Sequence, residues 1–156
     1  MVNPARGLNL AAWTAVALLG VAAEWTAFGA DDLRAATLDL LTGWGLLAAG
    51  LFATARARGQ LAGPLLGAAG VAWFAGTVFE PLVYLHRGPL LQLLLAFPDG
   101  RPQRAADRAA VAAGYGAALA APVWDDEPAS IAAAVAVVAL LFRRYAMAAG
   151  RVRLSR

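Results

Sequence analysis

Glu24, Asp39, Glu80, Tyr84, His86 and Arg87 are the residues through which this sequence offers chemistry, because all lie in or beside long apolar runs. Ionisable side chains in such surroundings are costly to bury, and they mark binding sites, ion paths or ion pairs. Glu24 stands seven residues before Asp31, and Asp39 stands seven after Asp32. Two helical turns rise about 10 Å, so both carboxylates are expected at one depth below a shared surface. Glu80, His86 and Arg87 approach that surface from the next two apolar segments, with Tyr84, Trp25 and Trp73 at the same level. Three chemistries fit this polar cluster: a lock in which Arg87 pairs with Glu80, Asp39 or Glu24, a ligand pocket open to the outside, and a proton or ion path.

Catalytic constellations are missing. His86 is the only histidine, so one chain cannot supply two histidines to a haem. Cysteine is absent, which excludes disulfides and Cys-ligated zinc or iron–sulfur clusters. The sequence contains no zinc-ligand spacing and no G-x-x-x-x-G-K-[ST] phosphate loop. Ser130 and Ser155 are the only serines, and neither has a sequence reason to meet His86. We expect no catalytic site, no metal and no cofactor. Lysine is absent while Arg and Ala abound, a bias typical of GC-rich bacterial codon usage.

The elements that must position the cluster are helices. Of 156 residues, 61% are apolar and only 15% charged, with a mean hydropathy of +0.62. That is beyond the range of an ordinary soluble domain. Between the apolar runs the charges alternate in sign: Arg6, then Asp31 and Asp32, then Arg56 and Arg58, then Glu80. Arg101, Arg104 and Arg108 follow, then Asp125, Asp126 and Glu127, and finally Arg143, Arg144, Arg151, Arg153 and Arg156. Arg34 and Arg87 are the exceptions on the acidic side. Arginine near the ends of membrane spans is retained on the cytoplasmic side. The expected fold is therefore all-α, an integral membrane bundle of six transmembrane helices in three hairpins, with both termini cytoplasmic. Residues 1–142 form the bundle and 143–156 a basic juxtamembrane tail.

The expected spans cover residues 8–28, 33–55, 61–78, 81–97, 109–123 and 130–142. The fourth reaches a near-complete span only by including His86, Arg87 and Pro89, because 90–97 covers barely half a bilayer. The alternative, a half-helix that re-enters, places Arg101, Arg104 and Arg108 outside, against the charge bias. The first span resembles a signal peptide as far as Val21-Ala22-Ala23, but its apolar stretch continues to Ala30, so an uncleaved helix is expected. Gly63, Gly67, Gly70 and Gly76 stripe the third span, and Gly43, Gly45 and Gly50 the second, which suits close helix packing in lipid. Tyr115 and Gln92 are expected to hydrogen-bond between helices.

The pI near 10.2 does not point to nucleic acid, because the arginines sit in short breaks without an aromatic-interleaved face. Arg101, Arg104, Arg143, Arg144, Arg151 and Arg153 are instead expected to contact inner-leaflet lipid or a cytoplasmic partner.

The segment Tyr84-Leu-His-Arg-Gly-Pro-Leu-Leu-Gln-Leu-Leu-Leu-Ala-Phe-Pro-Asp-Gly-Arg101 carries a family signal. With Thr42-Gly-Trp-Gly45, Ala72-Trp-Phe-Ala-Gly76 and Arg143-Arg-Tyr145, it resembles the N-terminal membrane region of actinobacterial sensor histidine kinases over roughly residues 35–150. That family often carries a second histidine where this chain has Gln92. The resemblance implies the input half of a two-component sensor without its output half. His86 lies on the wrong side to accept phosphate, and the only asparagines, Asn3 and Asn9, cannot furnish the ATP site. The expected function is a non-catalytic sensory or regulatory module in the cell membrane, relaying an external or membrane signal through the sixth span. Candidate partners are a histidine kinase, another membrane subunit or a second copy of the chain. A small oligomeric transporter or channel, and a haem- or quinone-binding subunit, are the competing readings.

Overall fold

The structure is a computed structural model that describes the backbone of residues 4–28, 32–56, 60–120 and 124–154, with side chains for 13–28, 32–56, 60–120 and 124–143. Among these residues it is all-helical: α1 (Pro4–Phe28), α2 (Leu33–Arg56), α3 (Ala62–Val78), α4 (Arg87–Ala96), α5 (Ala105–Ala118) and α6 (Glu127–Leu154). Only α2 among the described residues is both long and apolar enough to cross a membrane; Trp13–Phe28 and Ala62–Val78 are shorter apolar stretches.

The segment expected as a fourth continuous span is broken. Glu80–Leu82 form a 3-10 turn with Pro81 near its start. Turns closed by Leu85 N to Leu82 O (2.9 Å) and Arg87 N to Tyr84 O (3.0 Å) then lead into the ten residues of α4. At 1.5 Å per residue, α4 rises only about 15 Å. Proline lacks the N–H that would extend a helix backwards, and Pro81 and Pro89 stand on either side of this connector. The sixth expected span, by contrast, is the middle of a longer helix: α6 runs unbroken through residue 142, where a tail is expected to begin.

Helix α3 is the hub, packing on α1, α2 and α4, and its tightest partner is α2. Glycine makes that contact possible. A Cβ on Gly50 would stand 2.5 Å from the backbone N of Gly67 and 2.9 Å from the O of Gly63, so the two backbones touch directly. Phe74, 5% exposed, lays its ring against Gly20 of α1 and Gly43 of α2, filling the space those residues leave. Trp44 Nε1 donates to Ala17 O at 3.2 Å and ties α2 to α1. Between α1 and α3 lies an open apolar groove of about 430 Å³, bordered by Val16, Leu19, Val71 and Val78.

The connections gather at two ends. At one, Leu61 N donates to Asp99 O (2.9 Å), joining the start of α3 to the α4–α5 turn. That turn contains Gly100 at φ 74°, a left-handed conformation natural to glycine. Gln92 Nε2 donates to Gly100 O (2.9 Å), and Tyr115 OH donates to Gln92 Oε1 (3.1 Å), so both residues bond between elements as expected. Arg56, Arg101, Arg104 and Arg108 cluster near this end, together with Asp99 and Asp107. At the opposite end, Tyr84 OH donates to Asp125 Oδ1 (2.9 Å), joining the α3–α4 connector to the start of α6. Asp32, Glu80, Asp125, Asp126 and Glu127 lie there, with Arg34 and Arg87. The alternating charges of the sequence thus become two ends of a folded chain.

Large apolar side chains cover much of the outside. Leu19, Trp25, Phe52, Val138 and Phe142 are each at least 60% exposed.

Candidate functional site

The acidic end contains two linked polar groups, and the expected cluster residues divide between them. The inner group forms where the last turns of α1 and α3 meet α2. Glu24 is 1% exposed; its Oε1 accepts a hydrogen bond from Thr77 Oγ1 at 3.0 Å. Its Oε2 is buried with no hydrogen-bond partner. Asp39 of α2 is close enough to Glu24 to repel it electrostatically. Asp39 also stands beside Trp73 of α3, whose buried indole N–H faces its carboxylate. The Trp73 ring packs on His86 with centroids 4.6 Å apart and planes at 60°. The His86 ring also interacts with the Val83 backbone, one turn earlier in the connector.

The i, i+4 spacing of Trp73 and Thr77 explains why both reach this group from one helix. A buried donor or acceptor left without a partner costs about 1–3 kcal/mol. For Glu24 Oε2 that is a sizeable fraction of a domain's net stability, about 5–15 kcal/mol.

The outer group begins at the next residue. The Arg87 guanidinium lies 4.6 Å from the Tyr84 ring centroid and 4.2 Å from that of Trp124. The two rings are 6.0 Å apart at 44°. Trp124 is held by its Nε1, which donates to Ala117 O at 2.7 Å, and Tyr84 by its bond to Asp125. The ring faces supply the negative partner that Arg87 is expected to find in Glu80, Asp39 or Glu24. None of those carboxylates pairs with Arg87 among the described residues. A planar guanidinium suits this seat between rings, where a compact ammonium would keep its water.

The structure thus brings Glu24, Asp39 and His86 together, and separately Tyr84 and Arg87, with the His86–Arg87 peptide linking the two groups. Glu80 is exposed on the 3-10 turn and joins neither. Trp25, expected at this level, is 64% exposed and also stands apart. Thr77, Trp124 and Asp125 complete the two groups, and sequence reasoning misses all three. The sequence signal for Thr77 is its place one turn after Trp73, and for the other two their position in the acidic turn before α6. At the basic end Arg101, Arg104 and Arg143 are exposed, while the side chains of Arg144, Arg151 and Arg153 lie outside the described residues.

No group of three or more acidic, histidine or cysteine side chains among the described residues is placed to hold a metal ion. The inner group joins α1, α2, α3 and the connector, and the outer group joins the connector to the residues just before α6. No family model, characterised protein or solved structure matches this chain.

Proposed function

We propose that the chain is a non-catalytic sensory or regulatory module of the cell membrane, built as a six-span bundle with both termini cytoplasmic. In this reading it resembles the input half of a sensor histidine kinase and passes a signal to a cytoplasmic partner. The observation that carries the proposal is the outer group. Arg87, Tyr84, Trp124 and Asp125 connect the polar cluster to the turn just before α6. Among the described residues α6 otherwise has only slight contact with α4, and its backbone continues unbroken to Leu154. A change at the cluster therefore reaches one long helix through a few side chains. Such a device signals only when the stimulus favours one of two packings over the other.

The membrane placement is supported by the apolar exterior and by the gathering of Arg56, Arg101, Arg104 and Arg108 at one end. The broken fourth segment is compatible with it, because irregular backbone at membrane depth is tolerated where protein surrounds it. Gly88 and Pro89, at the start of α4, are both buried.

The absence of cysteine makes the topology directly testable. Gln103→Cys and Asp126→Cys are introduced singly and treated with a membrane-impermeant maleimide in intact cells. Labelling of Asp126→Cys alone is expected; labelling of Gln103→Cys alone inverts the proposal. The relay is tested by crosslinking in native membranes and mass spectrometry of captured proteins. A kinase or receptor subunit recovered with the parent and lost with Arg87→Ala is the expected result. Capture of the chain alone removes the relay.

A further inference from the structure

We infer that the basic end of the molecule is a binding surface for anionic phospholipid, with headgroup phosphate on Arg56, Arg101 and Arg104 and acyl chains along Phe52 and Phe97. The inference rests on the membrane placement proposed above and adds which lipid gathers at that end and which residues hold it.

Three segments meet there. The start of α3 touches the last turns of α2, since a Cβ on Gly63 would stand 2.5 Å from the backbone N of Thr54. It also touches the α4–α5 turn: a Cβ on Gly100 would stand 2.8 Å from that of Leu61, and Leu61 N donates to Asp99 O. Arg56 lies two residues beyond Thr54, and Arg101 directly follows Gly100. Arg104 precedes α5 and Arg108 lies in its first turn. Backbone contacts therefore fix the segment ends on which these arginines stand.

All four arginines are exposed. Asp99 and Asp107 stand at the same end, yet neither forms an ion pair with any of them among the described residues. Four arginines against two aspartates leave a surplus of two positive charges. Guanidinium groups at such an end find their anion in lipid phosphate, which accepts two parallel N–H bonds. The opposite end is the reverse: Asp32, Glu80, Asp125, Asp126 and Glu127 outnumber Arg34 and Arg87, and would repel the same headgroup.

Any polyanion answers the charge, and the rings favour lipid. Phe52 and Phe97 are 60% and 70% exposed, each four residues before an arginine of this surface. Phe52 lies one turn, about 6 Å, deeper than Arg56. The Arg56 guanidinium rests over that ring, 4.5 Å from its centroid. An exposed phenyl ring capped by a guanidinium matches the level where hydrocarbon gives way to phosphate. Single-stranded nucleic acid also stacks on rings, but it needs a positive groove that tracks its backbone, and here two aspartates interrupt the arginines.

The test uses the full chain in phosphatidylcholine bilayers containing a trace of spin-labelled lipid. Electron paramagnetic resonance separates lipid immobilised on protein from lipid in the bulk. Absence of immobilised phosphatidylcholine would remove the membrane placement and this inference with it. Spin-labelled phosphatidylglycerol is expected to be immobilised in severalfold preference, and the preference should fall as salt is raised. The triple variant Arg56→Gln/Arg101→Gln/Arg104→Gln should lose most of that preference. Its immobilisation of phosphatidylcholine should equal that of the parent, which shows that the variant keeps its place in the bilayer. The matching variant Arg143→Gln/Arg144→Gln/Arg151→Gln should keep at least half of the preference. Equal immobilisation of the two lipids by the parent overturns the inference and leaves the bilayer placement standing. So does a preference that survives in the first variant and disappears in the second, since the lipid then gathers at the end of α6.

Discussion

Helices α2 and α3 are joined by direct backbone contact, whereas the described part of α6 is held mainly by side chains at one end. The first contact depends on what is absent, a Cβ at Gly50 and Gly63. The second depends on what is present, a guanidinium between two rings and a tyrosine hydroxyl on a carboxylate. Backbone contact has no slack, so α2 and α3 act as a fixed platform. Ring and hydroxyl contacts each contribute about 0.5–1.5 kcal/mol and can exchange for others, which suits an element that moves. The polar cluster lies where the two regimes meet, with Trp73 on the platform and Arg87 on the tether.

The largest expected effect comes from forcing the platform apart. Gly50→Leu inserts a side chain into backbone and should unfold the α2–α3 pair or lower the melting temperature in detergent by many degrees. Gly45→Leu, where a Cβ meets nothing within 4 Å, should leave it nearly unchanged. Similar losses from both substitutions would mean that backbone contact does not hold the platform together.

Next in size is the Phe74 wedge. Phe74→Ala should cost about 3–5 kcal/mol, as large-to-small changes of aromatic core residues do. Gly43→Ala should cost roughly 1–3 kcal/mol by overpacking against the ring. Because the two touch, the double variant should be less destabilised than the sum of the singles. Additive losses in reversible unfolding would separate Gly43 from Phe74.

The tether should respond differently. Trp124→Ala or Arg87→Ala should change global stability by only about 1 kcal/mol, yet free the start of α6. Hydrogen exchange should accelerate over the first turns of α6 and remain slow in α2 and α3. Uniform acceleration across all helices would erase the distinction between platform and tether. The smallest effect is expected from Tyr84→Phe, which deletes the bond to Asp125 but keeps the ring under Arg87. It should cost about 0.5–1.5 kcal/mol in a thermal shift, with exchange in α6 nearly as in the parent.

Helix positions are largely legible in the sequence. The second apolar run predicts a helix over 33–55 and α2 covers Leu33–Arg56; the third predicts one over 61–78 and α3 covers Ala62–Val78. Continuous apolar runs bounded by charge and glycine leave few places for a helix to end. The fourth segment reads wrongly as one continuous helix because hydropathy counts apolar residues without registering that Pro81 and Pro89 interrupt backbone hydrogen bonding. The cluster is half legible. Glu24, Asp39, His86 and Arg87 stand out as charges in apolar runs, but Thr77 and Trp124 carry no such mark.

Composition and charge order are thus sufficient for an all-helical chain with segregated basic and acidic ends, since both follow from local rules on hydropathy and breakers. Which glycine touches backbone, Gly50 and not Gly45, depends on the rotation of α2 against α3, and no single segment encodes that. The partner of Arg87 is also a matter of distance. Trp124 lies 37 positions away along the chain, and folding alone brings its ring to within 4.2 Å of the guanidinium, where the expected carboxylates do not reach.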